Sequence, residues 1–467
     1  ESATVTTIAG NLSVLADNES LINSAVLSTS LALGLGKTGV GVAIGISVAQ
    51  NQIGGTPAES ATTAYIKNSK IIADGDIVVA ATSVQTINAV VFAGSVAIAA
   101  GKTGIGLAGS GVYVHNEIEA NTSAKIIGDV GDTSSAAVEA EDVTVKAENK
   151  SQINAIAATV SISAALGKTG VALSIGATIA KNDIFGTTTA QILNSGDGGV
   201  SSTVGDVTVE AIDDARINSA AAAAAVALAA GKTGISFALA GALAFNRIGA
   251  GVSATIENSL ITSDNDVNIL ATASGRIDAI NAAVAASIAA GKTGVGIAVG
   301  AAFVSNQIGY GYGLMPDSAA VHRTSDTSDV LFDVGDVSKY DTVRVTDGIH
   351  AGRTFEYISD DDVAANVDTT GDNELDKVDL AAIDYNNPNQ WVEINLVKDT
   401  VQILAGAIDS KIVALGDLLI DAQSDQKINA ASLAVAAGIG LGSTGVAFTL
   451  SGAVVLNRIS TSPTAVI

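Results

Sequence analysis

The chain contains no cysteine, and only 3% of its residues are aromatic. The first absence excludes a disulfide scaffold and thiol chemistry, and leaves the compartment open. The second excludes a bulky aromatic core, so the 48% of hydrophobic residues is almost all small and aliphatic. Side chains of that size suit thin, closely stacked sheets. Charge is scarce at 15%, and basic charge scarcest, with 23 Lys and Arg against 47 Asp and Glu for a net charge of −24. Such a balance argues against nucleic acid or anionic lipid as a partner. It is compatible with Ca²⁺ as a counterion. No apolar run reaches the ~20 residues of a spanning helix before a Lys interrupts it. The aromatic girdles and polar inner face of an outer-membrane barrel are missing as well, so no membrane insertion is expected. Glu1 is followed by neither a basic region nor an apolar run. The N-terminus is therefore expected to be processed, or the chain to be a segment of something longer.

What the chain has instead is a register. Gly36-Lys37-Thr38-Gly39 recurs at 101–104, 167–170, 231–234 and 291–294, with a sixth copy at Gly442-Ser443-Thr444-Gly445. Fourteen residues after each Lys, or after Ser443, stands Asn51, Asn116, Asn182, Asn246, Asn306 or Asn457. Fourteen before it stands Asn23, Asn88, Asn154, Asn218, Asp278 or Asn429, and twelve further back Asn11, Asp76, Asp142, Asp206, Asp266 or Asp417. Polar markers held at fixed offsets through six copies identify a repeat protein, whose function is to be sought first in the array.

Within a copy, apolar residues alternate. Val160 and Ile162 lie between Thr159, Ser161 and Ser163, and Val171, Leu173 and Ile175 alternate with Ala172, Ser174 and Gly176. Period two means strand. The Ala run at 220–225 favours helix on propensity alone, but it occupies the same register and is read as strand. The connectors carry a further motif, Ala64-Tyr65-Ile66-Lys67-Asn68-Ser69, repeated at 190–195 and 254–259. Each repeat is thus about four strands with Gly and Asn at the corners, where Asn tolerates the left-handed conformation and ladders with the next copy. The fold class expected is all-β, a parallel β-solenoid (β-helix) of six repeats with an inserted β-rich module. Neighbouring coils would be hydrogen-bonded at ~4.8 Å.

The insertion lies between Asn306 and Asp417, and it gathers five of the seven tyrosines and the single tryptophan. Segments 341–345, 354–358 and 391–396 read as strands. The domains expected are solenoid repeats at 1–309, an inserted module at 310–400 and a sixth repeat at 401–467. In the insert, Asp368, Thr370, Asp372, Asp376 and Asp379 place oxygens at positions 1, 3, 5, 9 and 12 of a twelve-residue Ca²⁺ loop, with the Glu374 carbonyl at position 7. Asn373 replaces the usual Gly and Asp379 the usual Glu, as in dockerin-type loops, so an acidic surface loop stands as the alternative reading. Tyr357, Tyr385 and Trp391 suit either stacking on a glycan or the core of a small module.

A phosphate loop needs a Gly five residues before the Gly of Gly-Lys, and those positions hold Leu31, Val96, Ile162, Val226 and Ala286. The tetrapeptide is read as a tight exposed turn, its lysines forming a row. His115, His322 and His350 show no metal spacing, and no nucleophile, base and acid recur together. No enzyme is expected. Thr464-Ala465-Val466-Ile467 matches Thr63-Ala64-Tyr65-Ile66. If Ile467 ran on into Glu1, Asn11 would stand 21 residues after Asn457, a normal connector. The array is expected to continue head to tail, covalently or by stacking of copies.

The text of one repeat, Gly205-Asp206-Val207-Thr208-Val209-Glu210-Ala211 followed by Ile217-Asn218, Gly-Lys-Thr-Gly and Asn-Arg-Ile, resembles the repeats of giant bacterial surface proteins. These include filamentous-haemagglutinin-like and leukotoxin-like adhesins. The insert, with Asp-Thr-Val-Arg-Val, Thr-Phe-Glu-Tyr, 379–385 and Trp391, is similar to modules within such giants. The resemblance implies an extracellular, non-enzymatic shaft segment at the bacterial cell surface, with copies of itself as partner. An adhesive module at 310–400 that recognises glycans or neighbouring filaments is the alternative.

Overall fold

Strict alternation leaves one set of side chains inside and the next outside over unusually long strands. In the computed structural model each coil begins with a long strand, as in Leu12–Leu35 (24 residues), and turns back at Gly-Lys into a return strand, Thr38–Ile53 (16 residues). Two short strands, Ala61–Lys67 and Lys70–Ala73, close the coil. The structure describes residues 2–54, 61–128, 137–309 and 401–467. Within the insert it describes 322–323, 332–333, 337–339, 341–345, 354–359, 361–367, 377–385, 387 and 390–394.

Every pairing in the solenoid sheet is parallel and joins one coil to the next. Leu12 pairs with Ile77, Ile77 with Val143, Val143 with Val207, Val207 with Val267 and Val267 with Leu418. The fold is a parallel β-solenoid. The count of about four strands per coil agrees with the sequence, but their identity differs. The stretch from the recurring Asp to the tip, as in 77–100, forms one continuous strand, and the fourth strand is the short one preceding each Asp, as in Lys70–Ala73.

Across the core, residues equidistant from the Gly-Lys tip face each other. Ser47 Oγ donates to Ser28 Oγ at 3.0 Å, and Thr159 and Thr178 hydroxyls meet at 3.1 Å. The section is a wedge. At the corner end it is filled by Ile77, Val79, Ile126, Val145, Ile192 and Val209, and midway by Ile87, Ile118, Ile153 and Ile217. Toward the tip it is filled by Ala223, Ala225, Ala227, Ala238, Ala240 and Ala242. There the two backbones nearly touch: a Cβ added to Gly34 would stand 2.2 Å from the Val40 carbonyl oxygen. Burying these aliphatic side chains, at ~25 cal/mol per Å², supplies the cohesion of each coil.

The insert leaves the stack after Ile308 and the chain rejoins it at Val401, without disturbing register. Asn306 pairs with Asn457, and Val252 with Ile403. The insert has its own sheet, with strands Thr342–Arg344, Thr354–Tyr357 and Trp391–Ile394 antiparallel in that order.

Candidate functional site: stacked ladders and a polar corner

An inward-facing Asn in every return strand meets its counterparts in the coils on either side. Asn51 Nδ2 donates to Asn116 Oδ1 at 2.7 Å. The same bond follows at 2.8 Å from Asn116 to Asn182, Asn182 to Asn246, Asn246 to Asn306 and Asn306 to Asn457. The column is continuous through all six coils, and Asn116, Asn182, Asn246 and Asn306 are fully buried. These residues were read from sequence as corners; they lie inside strands, because an amide one coil away satisfies each polar group that the core would otherwise leave unpaired. The actual left-handed corners are Asn68, Asn194 and Asn258, with φ of 49°, 54° and 47°, the last two also joined at 2.8 Å. A second column faces outward on the long strands, where Asn88 donates to Asn23, Asn154 to Asn88 and Asn218 to Asn154, each at 2.8 Å.

The recurring Asp ahead of each long strand does backbone work. Asp142 Oδ1 accepts from the Asp206 amide at 2.5 Å, Asp206 Oδ1 from Asp266 at 3.1 Å and Asp266 Oδ1 from Asp417 at 2.7 Å. The residue before it is Gly75, Gly205 or Gly416 where that carboxylate or the Asn11 amide passes: a Cβ at Gly205 would lie 1.9 Å from Asp142 Oδ1.

One polar cluster breaks the outer apolar surface at the foot of the return strands. Register places His115 over Lys181, and Glu117 over Asp183 over Arg247. Arg247 Nε donates to Asp183 Oδ1 at 2.7 Å, and Lys181 Nζ stands 2.9 Å from Oδ2. His115 Nε2 lies 3.4 Å from Glu117 and 3.6 Å from Asp183. Burial raises the Asp183 carboxyl, but His115, Arg247 and Lys181 overcome it and hold it at about 2. Hydrogen bonding to Asp183 and then to Glu117 lifts His115 to about 9, against burial and Lys181. Nearby Glu119 is pushed up to about 7 by burial, then by Glu117 and by Glu356 of the insert. Among the described residues, His115, Glu117 and Asp183 alone converge as three metal-type ligands, within 4.8 Å of one another. Three cationic groups already neutralise them, so the arrangement is complete as an ion-pair network. Reading histidines by spacing along the chain missed it; reading them by repeat register places them together.

The Gly-Lys-Thr-Gly tips lead into strands, so the helix N-terminus of a phosphate site has no counterpart there. Lys37, Lys102, Lys168, Lys232 and Lys292 are all exposed. In the insert, Tyr357, Tyr385 and Trp391 are 0%, 5% and 3% exposed. Tyr385 and Tyr357 lie 4.9 and 4.8 Å from Trp391. The rings meet edge-on and tilted, at 62° and 55°, and the Tyr385 hydroxyl donates to the Leu380 carbonyl at 2.7 Å. They form the core of the module and offer no open ring face for a sugar. Of the Ca²⁺-loop residues, Asp368, Thr370, Asp372, Glu374 and Asp376 lie outside the described residues. Asp379 is described: it accepts from Ala381 N at 2.9 Å as the cap of the short helix Leu380–Ala382. Val367 and Lys377, next to the two ends of that loop, are bridged.

Comparison with known proteins gives no family model that matches, no matching curated protein and no matching solved structure.

Proposed function

We propose that the chain is a structural shaft segment of an extracellular bacterial filament or giant adhesin, extended along the solenoid axis by further coils, covalent or stacked. The observation that carries this reading is the Asn column, unbroken from Asn51 to Asn457 across a 151-residue step at the insert. Selection for a pocket has no use for one amide repeated at every level. A rod that must transmit load along its axis does, because each coil is bonded to the next by the backbone ladder and by the amide column inside it. The resemblance of the repeat text to giant surface proteins supports the extracellular placement, and the spacing of oxygen-bearing side chains at 368–379 supports a bound Ca²⁺ in the insert.

Negative-stain electron microscopy of the native material, with and without a Ca²⁺ chelator, tests it. The expected result is long unbranched fibres with an axial repeat. Compact monodisperse particles would sink the shaft, and fibres unaffected by chelation would remove Ca²⁺ from the structural role.

A further inference from the structure

The return strands turn an apolar surface outward. In each coil the five outward positions after the tip Thr carry no charge: Val40, Val42, Ile44, Ile46 and Val48 in the first, Val446, Phe448, Leu450, Gly452 and Val454 in the last. Intervening coils keep the pattern, with Tyr113 40%, Ile175 37%, Ile179 37% and Ile235 41% exposed and most of the other outward residues half-buried between their neighbours. Nine residues along the strand and six coils across give a flat face of roughly 30 by 29 Å, about 850 Å². Soluble surfaces rarely leave so large a patch bare.

The relief of this face is specific. Its fourth column reads Ile46, Gly111, Ala177, Gly241, Ala301 and Gly452, and the column beside it Val48, Tyr113, Ile179, Leu243, Phe303 and Val454. In five of six coils a Gly or Ala thus lies beside a large residue at the same level, which makes a groove running along the stack with a ridge at its side. Nothing inside the molecule requires these glycines: a Cβ added at Gly111, Gly241 or Gly452 would meet no atom within 4 Å. Glycine within a strand is less stable than Ala, and its other use there is to admit a close neighbour.

We propose that the return-strand face seats a second copy of this chain, sheet against sheet, with a ridge of each copy in the other's groove. A two-fold axis along the stack, through the third column, lays the five-column face on itself and sets the second column, also a ridge of large residues, over the partner copy's groove: Leu107 over Gly111, and Phe237 over Gly241 at the level two coils on. The face matches the ~800 Å² per partner of a standard specific interface, and the relation is isologous, as a closed dimer requires. Lateral pairing is independent of axial extension, and it turns single shafts into paired ones.

Sedimentation velocity on the full chain tests this, with the variant G111E/G241E beside it and far-UV circular dichroism confirming that both are folded. In the wild type a dimer forms over a micromolar range. In the variant the dimer dissociation constant rises at least a hundredfold, and stained filaments narrow from paired to single width with length unchanged. A wild type that stays monomeric, or a folded variant that dimerises as well as wild type, overturns lateral pairing. So does flotation of monomeric wild type with phosphatidylcholine vesicles. If the variant does not fold, F237E on the second column's ridge is read in the same assay. Single-width fibres would sink the paired form and leave the shaft standing.

Discussion

At the scale of single residues, three groups that titrate unusually, His115, Glu119 and Asp183, sit together at the foot of the return strands, while Asp213, pushed up to about 6 by burial, lies on a long strand. His115 is lifted to about 9 by Asp183 and Glu117. A cation favoured in the folded state contributes stability that is fully present below its ordinary value near 6.5 and is lost as pH rises through about 9. Glu119, raised to about 7 by its burial, acts in the same direction over a lower range: its contribution is present below the ordinary carboxylate value and is lost as pH rises through about 7. Asp183, held at about 2, matters only in acid, where its contribution is lost as pH falls through that value. Between pH 7.5 and 9.5 the histidine therefore acts almost alone. The melting temperature of the wild type is expected to fall across that window, and that of His115→Gln to fall distinctly less. Equal slopes for the two proteins would show that His115 does not hold its proton through these contacts.

The element that defines this molecule is a column across coils, and its two kinds differ in what they cost to break. Asn182 accepts from Asn116 and donates to Asn246 in a fully buried position. Asn182→Ala leaves a buried donor and a buried acceptor without partners, at ~1–3 kcal/mol each, so a loss of about 2–6 kcal/mol is expected. Asn218→Ala in the exposed outer column leaves its neighbours in reach of water and is expected to cost under ~1 kcal/mol. Denaturant unfolding of the two variants checks this, and similar midpoints would show that the buried column is not what binds coil to coil. Both columns were visible in the sequence as fixed offsets, because a ladder demands the same residue at every level. Which face each Asn took was not visible, since at period two a residue's side depends on where the strand begins. The long strand's true start, at Val143, Val207 or Val267, follows an Asp whose carboxylate accepts from the next coil's amide. The polar corner was hidden for a related reason: His115, Lys181 and Arg247 meet only when the repeats are laid on one another. The apolar outer faces were legible as hydrophobic text, but alternation with Ala, Gly and Ser made those small residues seem the filler, when they are the core.

For the whole molecule, the question is whether the shaft depends on what it carries. The sheet bridges the insert in register, with Ile248 paired to Ile308 and Val252 to Ile403. The fourth coil covers the same interval with Gly249-Ala250-Gly251. The insert also buries its own aromatic cluster, from Phe355 and Tyr357 to Trp391, separately from the aliphatic cores of the coils. A corner that tolerates three residues or a module is one where nothing in the ladder is lost by the exchange, and loop length itself adds little to the free energy of closure. Replacing 309–402 by Gly-Ala-Gly is therefore expected to leave the far-UV dichroism per residue strongly β and the unfolding free energy within about 0.5 kcal/mol of the parent, the range over which non-interacting sites behave additively. Fibre length in stained images should also be unchanged. The like-charge pressure of Glu356 on Glu119 would vanish, so Glu119 would titrate lower and the decline in stability toward neutral pH would become shallower. Collapse of the shortened chain would instead make the module part of the shaft, folding with it and holding the fifth and sixth coils together.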